Sequence, residues 1–400
     1  MHEATTILGI ALVVLGYGWF SKLLSRFNIS GPMVFTGVGV LLSPLVFGVQ
    51  ATHLDSEVVQ IIAEVALILV LFSDAATLNL GELKRDWKLP ARLLFIGLPI
   101  TILVATFVAK GFFPAESTIY LLLMALLLAP TDAALGKAVV SDTRVAEKIR
   151  TTINVESGLN DGIVFPIVIT VISMITGGSD GQGWLPYVAK QIAVGAVAGG
   201  LVGYFGAMVS TKVLRKNWME HSYQNLVPIA LAIFSYYLAE HFGGNGFISA
   251  FFAGLFLGNN NQRLRETVED FSESEGELLI LISFLVFGIA MIPVTIGFWN
   301  LTILGYALLS LTFLRMVPVA ISLIGSKLDF STILFIGWFG PRGIASILYV
   351  LIVVHKIGTI ENHETVYAVV SLTILLSIVL HGVSAKPFAA LYAKSHSAGG

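Results

Sequence analysis

Residues 121–140 read LLLMALLLAPTDAALGKAVV, and the reading of this stretch decides the fold. It opens as an apolar run fit to enter a bilayer. It then sets Pro130, Thr131 and Asp132 about where the midplane would fall. Proline lacks an N–H and clashes with the preceding turn, so a helix breaks near it. An aspartate at the centre of a span costs roughly 2.5–3.5 kcal/mol on insertion scales. Broken backbone at membrane depth is tolerated only where it is buried in protein or lines a water-filled cavity. The freed carbonyls, with Thr131 and Asp132, then offer oxygen ligands to a hard cation. A plainer reading makes Thr131 or Asp132 only the N-cap of the second half-helix, although Ser or Asn would cap without importing a charge.

The whole chain carries the same signature. Of its 400 residues 56% are hydrophobic and only 12% charged, with a mean hydropathy of +0.86, whereas average soluble domains carry about 25% charge. Repeated apolar runs predict a polytopic, all-α membrane protein; the short alternating segments of an outer-membrane barrel are missing. With no cysteine, disulfides and thiolate chemistry are excluded. The first 24 residues lack a basic n-region and a small-residue cleavage site, and read as a retained first span.

Thirteen spans are predicted, near 5–24, 32–49, 58–80, 91–113, 117–138, 150–176, 187–210, 222–242, 245–258, 277–293, 299–324, 331–355 and 365–385. Loop charge tests this division. With alternating sides, 18 of the 23 Lys and Arg residues fall on one face, among them Lys84, Arg85, Arg144 and Arg263, and Lys110, Lys190 and Lys356 on the other. The positive-inside rule makes the richer face cytoplasmic, with the N-terminus outside and the C-terminus inside. Trp19, Trp87, Trp184 and Trp299 lie near span ends, where indoles favour the interface. The acidic stretch RLRETVEDFSESEGE (263–277) reads as a solvated amphipathic surface segment. Gly195, Gly199 and Gly203, four apart, allow close helix approach, either within the chain or at a subunit contact.

Ionisable groups inside spans mark function by default. The deep ones are Glu64, Asp74, Asp132, Glu156, Asp161, Arg315, Arg342 and His381. A second interruption, FIGWFGPRGIASILY (335–349) with Gly340, Pro341, Arg342 and Gly343, falls seven spans after the first. Six-span halves, about 5–176 and 222–385, joined by a linking span at about 187–210, place the breaks at Pro130 and Pro341 in matching positions. The odd offset requires the halves to be inverted. Paired interrupted spans point to a midplane site in an inverted-repeat transporter, with spans five, six and twelve in a core bundle of a single membrane transport domain, residues 1–400. Span six, TTINVESGLNDGIVFPIVI (151–169), supplies the remainder. Ser157 and Asp161 are i,i+4 and can face Asp132, while Glu156 and Asn160 share the adjacent stripe for scaffolding. Glu156 needs a cationic partner, Arg315 first and Arg342 second. His381 reads as packed or wetted at the interface.

APTDAALG, NVESGLNDG and FGPRGIAS, in that order on spans five, six and twelve, resemble a monovalent cation:proton antiporter of the NhaP/NHE type. The resemblance covers essentially the whole membrane domain, and the Asn160–Asp161 pair is its most diagnostic feature. It implies thirteen spans in an inverted repeat with helices five and twelve interrupted, a homodimer in the cell membrane, and alternating access by movement of a core bundle. It also implies that Asp161 binds cation and proton, and that Asp132, the Thr131 carbonyl and Ser157 complete the cation shell. Asn160, Glu156 and an arginine would be structural, and Asp74 would reach the site through water. No cofactor is implied; Na+ (or Li+ or K+) and H+ are substrates. The resemblance is to a transporter and not to an enzyme. The long regulatory tail of eukaryotic exchangers is not expected here. Asn160 carries no titratable proton, so exchange is expected to be electroneutral, one for one. Three rivals remain. A channel would want a continuous polar path; a cation-coupled solute symporter on the same broken-helix architecture, a larger polar pocket; an enzyme, a metal cluster or nucleophile motif that the sequence lacks.

Overall fold

The computed structural model describes residues 2–48, 57–78, 80–81, 87–132, 135–140, 142–176, 184–271, 276–357 and 363–397. Lys84, Arg85, Ala133, Ala134, residues 272–275 of the acidic stretch and the side chain of Trp184 lie outside this description. Every regular element among the described residues is helical. Six helices are long and apolar enough to cross a membrane: Lys88–Phe112, Glu147–Ile175, Ala189–Arg215, Glu277–Phe298, Leu301–Ser322 and Glu364–Ser395. Gly31–Leu42, Thr118–Leu127, Leu226–His241 and Ile344–Ile357 are shorter apolar helices. Large apolar side chains stand exposed along them, Phe107 and Leu301 among the most. Such a surface would drive association in water but suits hydrocarbon.

In chain order the helices that position the candidate site are α1 (His2–Arg26), α2 (Gly31–Leu42), α3 (Glu57–Thr77), α4 (Lys88–Phe112) and α5 (Thr118–Leu127). There follow α6 (Lys137–Val140), α7 (Glu147–Ile175), α8 (Trp184–Arg215), α9 (Leu226–His241), α10 (Gly246–Asn260) and α11 (Gln262–Phe271). The last are α12 (Glu277–Phe298), α13 (Leu301–Leu311), α14 (Phe313–Ser322), α15 (Phe330–Trp338), α16 (Ile344–Ile357) and α17 (Glu364–Ser397).

Local chemistry sets several of these ends. Asn245, Asn300 and Asp329 are N-caps whose side chains accept from the amides of Ile248, Asn300's third successor Ile303, and Thr332. The second span is shorter than the predicted 32–49. Its helix stops at Leu42 because Pro44 forces Ser43 into extended backbone. The last helix instead runs on to Ser397, well beyond the predicted 385, with Pro387 inside it. Two π turns, Leu93–Gly97 and Phe287–Met291, stand just before Pro99 and Pro293. One extra residue per turn moves the carbonyl that the proline ring would strike.

The chain divides into two compact units. The first holds Met1–Gln60, Leu89–Ser157 and Ile280–Gly400; the second holds Ile61–Lys88 and Gly158–Leu279. The first unit has a buried cluster in which Leu89 and Leu93 of α4, Ile149 and Ile153 of α7, Val319 of α14, Phe335 of α15 and Ala385 of α17 meet. It holds the first half of α7 against α15 and α17, the setting of the candidate site.

The second unit is built on α10. A Cβ on Gly195, Gly199 or Gly203 of α8 would come within 2.6, 2.1 and 2.2 Å of the carbonyl oxygens of Asn245, Ser249 and Ala253. The stripe is therefore a packing face inside the chain. Gly254 and Gly258 make the same backbone-level approach to Phe72 and Ala76 of α3. Asn259 closes the end of α3 by accepting from Leu80 N and donating to Leu78 O. Glu64, a deep acid of α3, accepts from the Tyr236 hydroxyl of α9.

Candidate ion-binding site

In the first unit two helices stop in mid-course. α5 ends at Leu127, Ala129–Asp132 are non-helical, and α6 begins at Lys137. α15 ends at Trp338, and Phe339–Gly343 run non-helically into α16. The two segments meet and bond to each other. The Asp132 amide donates to Pro341 O at 2.8 Å.

Each segment then supplies what the other lacks. A helix start leaves amides without partners and a helix end leaves carbonyls. The Asp132 carboxylate accepts from Ile344 N at 2.8 Å through Oδ2 and from Leu135 N at 3.3 Å through Oδ1. The capping role weighed for this aspartate is therefore real, but the helix it caps most closely is α16, on the opposite break. Conversely, Arg342 Nη1 donates to Ala129 O at 2.7 Å and Pro130 O at 3.0 Å. Such charge-assisted bonds are among the stronger ones available to backbone groups. Two glycines make the meeting possible. A Cβ on Gly343 would lie 1.8 Å from Asp132 Oδ2, and one on Gly340 would lie 2.5 Å from Arg315 Nε.

The oxygen-rich wall beside this junction comes from α7. Ser157 Oγ donates to Thr131 O at 2.6 Å, and Thr131 Oγ1 lies 3.2 Å from Ser157 Oγ. Thr131, Asp132 and Ser157 are all buried. Next to Ser157, Glu156 takes a 2.7 Å ion pair from Arg315 Nη2, with both side chains buried. Among the described residues Glu156 Oε1 and Arg315 Nε have no hydrogen-bond partner, so the pair is a single contact and not a two-pronged fork. Thr312, which interrupts helix between α13 and α14, sets the turn from which Arg315 reaches inward.

α7 is continuous across the boundary between the two units, which falls after Ser157. Asn160 and Asp161, one turn further along it, belong to the second unit and are buried. In that unit Gly158 of α7 faces Asp74 of α3: a Cβ there would sit 3.8 Å from the Asp74 Cβ. Thus Pro130, Thr131, Asp132, Glu156, Ser157, Arg315, Pro341 and Arg342 meet in one unit, and Asp74, Asn160 and Asp161 belong to the other.

Two participants were not identified as such in the sequence. Ser377 of α17 accepts from the Arg342 amide at 2.6 Å. His381, one turn later, is deeply buried and not wetted; its Nε2 lies 3.0 Å from Trp338 O and its Nδ1 3.2 Å from Ser377 Oγ. The available signal was a Ser and a His at i,i+4 on an otherwise apolar helix.

Outside the spans, Asp142 and Arg144 form a loop pair at 2.7 Å. The hydrogen bond from Arg144 holds the Asp142 carboxyl below its ordinary pKa, and Asp142 in turn raises that of Arg144.

The sequence profile of the family described as "Sodium/hydrogen exchanger, transmembrane" matches residues 9–391. The K(+)/H(+) antiporter NhaP of Alkalimonas amylolytica is 25% identical over 394 residues, which cover 96% of this chain and 66% of that protein. A Na(+)/H(+) antiporter of Schizosaccharomyces pombe is 23% identical over 422 residues, covering 94% of this chain and 89% of that protein. The chain spans about half to two thirds of the length of several other curated relatives that it matches. Among solved structures, the sodium proton antiporter MjNhaP1 from Methanocaldococcus jannaschii at pH 8 superposes with a TM-score of 0.82 at 21% identity, over 98% of this chain and 100% of that one. The overall fold is therefore shared.

Proposed function

The chain belongs to the sodium/hydrogen exchanger family, and from that premise we propose that it exchanges a monovalent cation for H+ across the membrane, one for one. The observation that supports this reading is the bonding of the two non-helical segments to each other and to α7: the Asp132 carboxylate accepts from Ile344 N and the Thr131 carbonyl from the Ser157 hydroxyl, all buried, and Asp161 follows Ser157 by one turn of the same helix.

In the proposed mechanism Asp161 is the exchanging acid. A bound cation favours its ionised form. Arrival of the cation thus releases the proton, and protonation removes the ligand. That competition alone couples opposite flows. An arriving cation also replaces the Ser157 hydrogen on Thr131 O, after which the hydroxyl turns and both oxygens face the ion. Asp132 contributes charge and orientation, since its oxygens already serve two amides. Glu156, Arg315 and Asn160 scaffold the site, and Asp74 approaches it through water.

Asn160 carries no second proton, so no net charge moves. The membrane potential, worth about 2.3 kcal/mol per charge per 100 mV, then drops out. A pH gradient, worth about 1.4 kcal/mol per unit, drives the exchange. We take the two sequence halves as inverted repeats, the N-terminus as external, the C-terminus as cytoplasmic, and the working form as a homodimer with a mobile core bundle. The test is a set of inside-out vesicles with an imposed pH gradient, challenged in turn with Na+, Li+ and K+. Each transported ion should dissipate the gradient, and Asp161→Asn should abolish the response. Full activity in that variant would refute the assignment.

A further inference from the structure

We propose that His381 is a positioning residue for exchange: its two ring nitrogens fasten both ends of the non-helical segment that carries Pro341 and Arg342. The inference rests on the exchange reading above and adds to it a residue that need not touch the ion.

The hydrogen-bond logic leaves little freedom. His381 is 1% exposed, in the middle of α17. Its Nε2 faces Trp338 O at 3.0 Å. A carbonyl only accepts, so this nitrogen carries a hydrogen. Trp338 is the last residue of α15, where a helix leaves its final carbonyls without intrahelical donors. Nδ1 lies 3.2 Å from Ser377 Oγ and 3.1 Å from Ser377 O; with the hydrogen on Nε2, Nδ1 is an acceptor, and of these two oxygens only the hydroxyl can supply a hydrogen to it. The same hydroxyl oxygen accepts from Arg342 N at 2.6 Å. One unbroken chain therefore runs from Trp338 O through His381 and Ser377 to Arg342 N. Its two ends are the residues just before and near the end of the interrupted segment.

What that segment holds explains why the clamp matters. Arg342 grips Ala129 O and Pro130 O, Pro341 O receives the Asp132 amide, and Ile344 N receives the Asp132 carboxylate. A shift of the segment is thus passed to the backbone at Thr131 and to Asp132 without any change in α17. The Trp338 indole has its own anchor, donating to Ser384 Oγ at 3.0 Å. Trp338 O also accepts from Gly340 N at 2.8 Å, so loss of His381 removes the tie to α17 while the turn and the indole stay held, which favours a local displacement over general unfolding. The role proposed here is geometric.

The alternative, a histidine that merely fills space, gives opposite results for two substitutions of similar size. His381→Gln keeps a donor near the Nε2 position; His381→Leu has none. In proteoliposomes of the protein, His381→Leu should raise the apparent cation KM by about tenfold, the size expected for one lost buried hydrogen bond, with Vmax held within about twofold. Ser377→Ala should do the same, and adding it to His381→Leu should change little further. His381→Gln should stay within about threefold of wild type. The proposal is overturned if His381→Leu matches wild type, if Gln and Leu are equally impaired, or if the loss falls in Vmax alone. Should His381→Leu not fold, Ser377→Ala decides: an unmoved KM overturns the proposal and a raised one supports it. A wild-type protein that shows no exchange refutes the functional reading instead, which separates the two failures.

Discussion

The pair Glu156–Arg315 offers the most quantitative test of the site's architecture. Both side chains are buried, the exposed fractions of the side chains being 2% and 3%, and they meet through one 2.7 Å contact. Removing one partner of a buried pair costs about 3–5 kcal/mol, because the survivor is left charged and desolvated. Here Arg315→Met strands Glu156, and Glu156→Gln strands Arg315. The contact is single, with Glu156 Oε1 and Arg315 Nε lacking partners among the described residues. The lower end of the range, about 3 kcal/mol, is therefore expected for each variant. Replacing both should cost much less than the sum, since no uncompensated charge remains; a coupling of at least about 2 kcal/mol follows. The assay is a double-mutant cycle of equilibrium unfolding in mixed detergent micelles, with vesicle exchange measured on the same four proteins. Exchange should survive in the double variant, because the pair scaffolds and does not hold the ion. Single variants costing under about 1 kcal/mol, or strictly additive costs, would refute the reasoning and mean that water reaches the pair.

Two shorter predictions complete the set. Gly343→Ala should displace Asp132 from Ile344 N and cost at least about 2 kcal/mol, the value of a hydrogen bond to a charged group; Gly297→Ala, where nothing lies within 4 Å of the new methyl, is the control and should be near neutral in the same unfolding assay. Asp142 has its pKa lowered by Arg144. Its contribution to stability is therefore complete above the unfolded carboxyl value, about 3.9, and is lost only as pH falls through its still lower folded value. Asp142→Asn should accordingly leave the pH profile of exchange between about pH 6 and 9 unchanged; a shifted profile would place this loop in the titrating machinery.

The helical class was legible in the sequence because apolar runs of bilayer length are written residue by residue. The helix ends at Leu127 and Trp338 were foreshadowed by Pro130 and Pro341, since the residues ahead of a proline resist helix. Other features had no local signal. Nothing around Thr312 breaks a helix by composition, and the interruption there belongs to how α14 delivers Arg315. The end of α2 at Leu42 turned on Pro44, which the hydropathy of LLSPLVFGV masked. The burial of His381 depended on a carbonyl more than forty residues away in sequence. The glycine stripe of α8 was legible as a contact face, but only the structure identifies α10 as the surface it meets. Glu156 could be assigned an arginine from charge balance alone. The structure assigns it Arg315, whose Nη2 lies 2.7 Å from Glu156 Oε2, while Nη1 of Arg342 turns to Ala129 O and Pro130 O.

Those two carbonyls explain the charged residues at Asp132 and Arg342. A single interrupted helix in hydrocarbon would leave amides on one side of the break and carbonyls on the other, each costing several kcal/mol if unpartnered. Two interrupted helices that meet at their breaks can trade. The first break lends a carboxylate to the amides that open α16, and the second lends a guanidinium to the carbonyls that follow α5. On this argument the acid that looks most expensive in the sequence serves the amide that opens the helix of the opposite break. The carbonyl of Thr131, between these two segments' bonded groups, accepts from the hydroxyl of Ser157.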